Sequence, residues 1–122
     1  LSMALVDSVP AGQYGKASLE SLGLWQGVEA SVVQSENVRA ALALVAEKEA
    51  ALGIVYTSDA VAEPGVAVIG TFPDDSHPKI VYPAAEIAPG KAEAKDFLTY
   101  LHSDAARAVF EQQGFIVLPP NG

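Results

Sequence analysis

The stretch Val9-Pro10-Ala11-Gly12-Gln13-Tyr14-Gly15-Lys16 decides how the rest of the chain is read. An extended run, Ser2-Met3-Ala4-Leu5-Val6, leads into it through Asp7-Ser8. Pro10 stops any strand, and beyond it Ala11, Tyr14, Leu19 and Leu22 fall at helical spacing. Proline suits the first helical position because its missing N–H would be unsatisfied there anyway. The amides of Ala11, Gly12 and Gln13 then have no carbonyl partner four residues back. The helix dipole adds roughly half a positive charge at that end. Gly12 has no side chain to keep an approaching group away from the backbone. A strand that runs into such a helix start is a seat for an anion. It is also an ordinary turn of any α/β domain, and what separates the two readings is that the arrangement recurs further along.

The 122 residues suit one domain, or one and a fraction, with a respectable core. Half of them are hydrophobic, 18% are charged and the mean hydropathy is +0.25, a compact globular composition. No apolar run approaches the ~18 residues that span a bilayer. A net charge of −8 argues against nucleic acid and anionic membrane surfaces as partners. An anionic ligand would have to be held by local dipoles against that overall field. The absence of cysteine excludes disulfides and thiolate metal sites. The sequence opens at Leu1 in mid-pattern, with neither an initiator Met nor a leader. It is therefore expected to be a fragment or a processed product.

Along the chain, Gly23 suits a left-handed cap for the first helix, with Leu24 and Trp25 packing back on it. Ser31-Val32-Val33-Gln34 reads as a short strand. Ser35-Glu36-Asn37 offers helix-start residues before Val38, Ala41, Leu42 and Val45, and Glu47-Lys48-Glu49 closes that helix. Ala51-Leu52-Gly53-Ile54-Val55-Tyr56 is a continuous apolar run, expected to be a strand covered on both faces. Thr57-Ser58-Asp59 caps a short helix. Residues 66–72 and 79–87 are read as strands, with Pro83 placing the second at an edge or bulge. Between them, Pro73-Asp74-Asp75-Ser76-His77-Pro78 is a polar linker. Helices over 92–101 and from Ser103-Asp104 to Gly114 follow, then a strand at 115–118 and a disordered tail at 119–122. Alternating strands and helices define the class as α/β.

Three pieces carry a specific resemblance: Val9-Pro10-Ala11-Gly12-Gln13-Tyr14, then Glu36-Asn37-Val38-Arg39-Ala40-Ala41-Leu42-Ala43-Leu44-Val45, then Leu52-Gly53-Ile54-Val55-Tyr56-Thr57-Ser58-Asp59-Ala60. With Thr71-Phe72-Pro73-Asp74-Asp75-Ser76-His77 and Phe110-Glu111-Gln112-Gln113-Gly114-Phe115, the series resembles the periplasmic molybdate-binding proteins of bacterial molybdate ABC transporters. The match runs over nearly the whole chain in order and spacing. It implies a type II periplasmic-binding-protein lobe, a mixed sheet flanked by helices. It divides the chain into a ligand-binding lobe at 1–72, a hinge-like linker at 73–78 and a segment at 79–118 that returns to the other lobe. The ligand it implies is molybdate or tungstate, held by the backbone N–H of Ala11, the backbone N–H of Val38 and the phenolic O–H of Tyr56, with no cofactor and no metal cation. The partner it implies is a membrane permease, and the location periplasmic or lipid-anchored outside the cytoplasm. The family's other lobe carries two serine ligands that lie before the part matched here, so half a binding site is expected, and self-association of the chain with it. Asp7-Ser8-Val9 stands where the family more often has an Asp-Pro and a His.

Several alternatives compete for the same residues. Tyr56 at a strand end is commonly a core residue with a wet hydroxyl. Asp74, Asp75 and His77, with His102, resemble a metal cluster, though carboxylates in a proline-flanked linker are more often solvated. Ser58, Asp59 and His77 would be a hydrolytic set, but the nucleophile elbow Gly-x-Ser-x-Gly is missing and nothing in the sequence orients His77. The chain is expected not to be an enzyme. Lys16 and Arg39 lie in the first turns of their helices as possible anion clamps. A regulatory module of the same two-lobed architecture, sensing a small anion, is the other class of function.

Overall fold

Ser2-Met3-Ala4 form the first strand, β1 (Ser2–Ala4), and all three side chains are buried. A computed structural model of the chain describes residues 1–119; the remainder of the expected tail, 120–122, lies outside the described residues. The chain divides into two compact units, Leu1–Lys79 and a second from Ile80 onward.

In the first unit β1 pairs in parallel with β2 (Val33–Ser35), with Ser2 opposite Val33 and Ala4 opposite Ser35. On its other side Ser2 bridges Gly53, also in parallel, through Ser2 N–H to Leu52 O at 2.8 Å and Ile54 N–H to Ser2 O at 3.0 Å. Successive residues of a strand face opposite sides, and β1 uses both. Met3 packs with Val6, Leu19 and Trp25 beneath α1 (Pro10–Ser21) and α2 (Trp25–Val28). On the opposite face the Ser2 hydroxyl donates to Ala41 O of α3 (Val38–Ala46) at 2.8 Å. Helices therefore cover both faces of a short parallel sheet, as α/β connections require.

α1 ends as expected. Gly23 has φ +70°, and Leu24 N–H reaches back to Leu19 O at 2.7 Å. Trp25 packs inward, while Leu24 stays half exposed. The Asp74–Ser76 turn docks on the same helix: Ser76 Oγ donates to Ser18 Oγ at 3.0 Å, and both serines are buried.

Other expectations need correction. The second strand lies at Val33–Ser35, later than residues 31–34, because β1 fixes its register. The run at 51–56 is no strand buried on both faces. It contributes one bridge and forms the edge of the sheet, so Leu52 and Gly53 are exposed. Residues 66–72 form no strand, since no described strand lies beside them, and Ile69 is 83% exposed. The sheet is parallel throughout the described residues rather than mixed.

The second unit contains α5 (Ala92–Leu101) and α6 (Asp104–Gln112), with Ser103 Oγ accepting from Ala106 N–H as the cap of α6. Gly114, at φ +86°, turns the chain so that Phe115 N–H meets Phe110 O at 3.0 Å. Phe115 then packs edge-on against Phe110 and Tyr82. Neither 79–87 nor 115–118 is a strand. Both lack a described neighbour to pair with, and Phe115 is drawn onto the aromatic contact instead.

The helix-to-strand fit in the first unit turns on Gly12. A Cβ there would collide with the carbonyl oxygens of Ala4 and Leu5 and lie 2.6 Å from the Leu5 carbonyl carbon. At Gly15 the nearest atom is the flexible Met3 Cε at 2.7 Å, followed by Ile54 Cγ2 at 3.0 Å. Alanine improves a helix by about 1 kcal/mol over glycine, whereas overpacking costs about 1–3 kcal/mol or more. Gly12→Ala is expected to destabilise the chain in urea unfolding by about 2 kcal/mol or more, and Gly15→Ala by less than half as much. Equal losses would show that α1 does not rest on the backbone at the end of β1.

Candidate functional site

Parallel strands end on the same side of their sheet, and in α/β folds ligands bind outside those carboxyl ends. The register places Ala4 level with Ser35, and Gly53 level with Ser2, so three connections leave one edge together. The first leads to Ala11 at the start of α1, the second to Val38 at the start of α3, and the third to Tyr56. The chain passes from β1 to β2 on one side and then to 53 on the other, so this edge is also a topological switch point. The three residues singled out from the sequence therefore lie at a common edge. α1 and α3 approach it from opposite faces of the sheet.

Pro10 is the first residue of α1, and Val9 before it is extended, with φ −103° and ψ 127°. Gln13 N–H bonds to Val9 O at 2.9 Å, and among the described residues the N–H groups of Ala11 and Gly12 have no acceptor. Ala11 is buried. Gly12 does not act as expected: the group that comes close to its Cα is the chain's own backbone at Ala4 and Leu5.

At α3 the cap is Asn37, whose Oδ1 accepts from Ala40 N–H at 2.9 Å while its carbonyl accepts from Ala41 N–H at 3.2 Å. The amides of Val38 and Arg39 have no acceptor among the described residues. Neither α1 nor α3 has an acidic residue in its first turn, so the dipole at each start is not offset locally. Tyr56 is half-buried and is itself the cap residue of α4 (Thr57–Ala62), its carbonyl accepting from Asp59 and Ala60 N–H at 3.1 and 3.2 Å. The helix thus begins earlier than the cap expected at residues 57–59.

The charged candidates separate. Lys16 is the seventh residue of α1 and so lies in its second turn, not the first as expected; its Nζ is 3.8 Å from Asp7 Oδ1 and 5.2 Å from the centroid of the Trp25 ring, along the flank of the helix. Arg39 is exposed in the first turn of α3. His77 Nδ1 is 2.9 Å from Pro78 O, and its ring tilts against Tyr14. Ser58, Asp59 and His77 are joined by no hydrogen bond among the described residues, and Asp59 Oδ2 is buried without a partner among them. No group of three His, Cys, Asp or Glu side chains is placed to hold a metal among the described residues. A surface depression of about 390 Å³ beside Glu20, Gly23, Trp25 and Gln26 lies at the far end of α1, away from the Ala11 edge.

Sequence reasoning missed Gln34. Its Oε1 accepts from Val6 N–H at 2.8 Å, tying the β1–α1 connection to β2. A glutamine in the middle of a three-residue strand gives no sequence signal of that role.

The family model for bacterial extracellular solute-binding proteins matches residues 1–116. The chain belongs to that family. It is 46% identical over 112 residues to the molybdate-binding protein ModA of Escherichia coli strain K12, covering 91% of this chain and 44% of that protein. It is 39% identical over 117 residues to the putative ABC transporter substrate-binding lipoprotein YvgL of Bacillus subtilis strain 168, covering 94% of this chain and 45% of that protein. The substrate-binding domain of a putative molybdenum ABC transporter from Clostridium difficile superposes with a TM-score of 0.83 at 30% identity, over 95% of this chain and 52% of that one. The periplasmic molybdate-binding protein of Azotobacter vinelandii, at TM-score 0.68 and 23% identity over 96% and 53%, shares the fold. The α/β class and the type II periplasmic-binding-protein fold read from the sequence hold. The chain spans about half the length of the solute-binding relatives it matches.

The Asn37 cap sets the start of α3. Asn37→Ala removes the bond to Ala40 N–H and is expected to lower unfolding free energy by about 1 kcal/mol. Asn37→Asp, which keeps the acceptor, should lose much less in the same denaturation experiment. Equal losses would mean that the cap does not fix this helix start.

Proposed function

We propose that the chain carries one half of the oxyanion site of a periplasmic or lipid-anchored ABC-importer receptor for molybdate or tungstate. The supporting observation is the common edge at which two helix starts, both with amides that have no acceptor among the described residues and neither with a first-turn acid, meet the end of the 52–54 segment. Ala11 and Val38 donate backbone N–H groups to the anion and Tyr56 its phenolic O–H. The choice of anion is supported by the names of the relatives, a molybdate-binding protein and the substrate-binding domain of a putative molybdenum transporter. In this reading no side-chain cation touches the ligand, the protein is not an enzyme, no cofactor takes part, and the membrane permease of the importer is the partner of the complete receptor. The linker around residues 73–78 is the hinge crossing.

Hydrogen bonds to a charged group contribute ~1.5–3 kcal/mol each. Association itself costs at least ~4 kcal/mol, so half a site should bind on the order of millimolar. In titration calorimetry of this chain, molybdate and tungstate are expected to bind in that range and sulfate and phosphate more weakly. Tyr56→Phe should weaken molybdate binding roughly tenfold. Unchanged affinity in the variant would remove Tyr56 from the site, and no binding of any oxyanion by the unaltered chain would remove the site.

The second unit leaves Phe97, Tyr100, Val109 and Ile116 largely exposed, with Ile116 at 84%. A buried side chain of this size is worth ~1.5–3 kcal/mol. We infer that this chain self-associates through residues 79–118. Light scattering should report a dimer or larger assembly at micromolar concentration, and a stable monomer there would contradict it.

A further inference from the structure

The connection from β1 to α1 is tied down from two directions. From the α1 side, Gln13 Nε2 donates to Asp7 O at 3.1 Å, Lys16 pairs with Asp7, and Val9 N–H returns to Leu5 O at 3.0 Å. These bonds keep the connection and α1 together as one piece. From the β2 side two bonds, among the described residues, hold that piece to the neighbouring strand: Leu5 N–H to Ser35 O at 2.9 Å, and Val6 N–H to Gln34 Oε1 at 2.8 Å. The acceptor assignment at Gln34 is fixed by chemistry, because a backbone N–H only donates.

Gln34 stands opposite Met3 in the parallel register. Cross-strand partners point to the same face of a sheet, so Gln34 shares the α1 face with Met3, but it is exposed there and reaches the connection from β2. Ser35 continues directly into Glu36, Asn37 and the start of α3. The first-turn amides of α1 and α3 are therefore related to one another through Leu5, Val6, Gln34 and Ser35. The Ser35 carbonyl is backbone and available to any sequence. The Gln34 contact belongs to the side chain and is specific to this chain's residue.

We propose that Gln34 is a positioning residue that sets the Ala11 amide relative to the Val38 amide, and so tunes the fit of the oxyanion between the two helix starts. This rests on the oxyanion reading of that edge. Gln34 makes no contact with the ligand in the proposal. It acts through Val6 and the connection to α1. Without the side-chain acceptor, the β2 side of the connection keeps Ser35 O, and α1 keeps its packing on β1, but Val6 is held less closely to β2 and the Ala11 amide is set less accurately relative to Val38.

The test is a molybdate titration of the ¹⁵N-labelled chain, read at individual amides, together with hydrogen exchange at Val6. The variants are Gln34→Met, which keeps length but has no comparable acceptor, and Gln34→Glu, which keeps the acceptor and adds a charge. In the unaltered chain, Ala11 and Val38 should respond with one common dissociation constant. In Gln34→Met, Val6 exchange should accelerate about threefold to tenfold, affinity should fall by a similar factor, and the Ala11 response should shrink relative to that of Val38. In Gln34→Glu the added charge weakens affinity, but Val6 protection and the Ala11-to-Val38 response ratio should return to those of the unaltered chain. A role in stability alone would leave that ratio unmoved in every variant, and this outcome overturns the proposal. So does an affinity within twofold of the unaltered chain in Gln34→Met. Lack of any response at Ala11 and Val38 in the unaltered chain overturns the oxyanion reading itself.

Discussion

The close approach of α1 to the end of β1 is the constraint on which the first unit depends. Gly12 lies so near the Ala4 and Leu5 carbonyls that no side chain fits between helix and strand. That approach brings Leu19 down on Met3 and places the Ala11 and Gly12 amides at the carboxyl edge of the sheet. α3 reaches the same edge from the opposite face, anchored by the buried bond from Ser2 Oγ to Ala41 O. One short central strand, with each face given to a different helix, thus fixes two helix starts relative to each other.

Those starts explain how a chain of net charge −8 could hold an anion. Long-range repulsion between exposed charges is screened beyond a Debye length of about 8–10 Å. Amides in direct contact act within hydrogen-bond distance, where the local dipole dominates. Acids are missing from the first turns of α1 and α3, and Lys16 is occupied by Asp7 and the Trp25 ring. The proposed recognition is consequently one of neutral donors in fixed positions, and positional accuracy takes the place of charge. The Gln34 contact matters for that reason, since a site without a cation has little else with which to compensate for a misplaced donor.

The elements that carry strong local signals were legible in the sequence. Pro10 at a helix start, Gly23 in a left-handed cap, Asn37 and Ser103 as capping side chains all act through their nearest neighbours, and all sit where their chemistry predicts. Strands depend on partners distant in sequence, and there the reading failed. Residues 66–72, 79–87 and 115–118 have the composition of strands but no described strand beside them, and a strand without a ladder is not a strand. The role of Gly12 was half legible: the need for close approach could be read, but not that the approaching group is the chain's own backbone. Gln34 was invisible, because its partner is a main-chain N–H brought near only by the fold. For the candidate site, Ala11, Val38 and Tyr56 came from family resemblance laid over helix and strand ends; the parallel register brings together the strand ends that lead to them, and their contact with an anion is the proposal.

In the proposed site an oxyanion sits between the starts of α1 and α3. The most direct measurement is a crystal structure of this chain soaked in tungstate, with tungsten located by its anomalous scattering. The expected result is a tungsten peak whose oxygens lie about 3 Å from the backbone nitrogens of Ala11 and Val38, with no lysine or arginine head group in contact. Tungsten found only against side chains such as Arg39 or Lys91, with the two amides empty at saturating ligand, would contradict it.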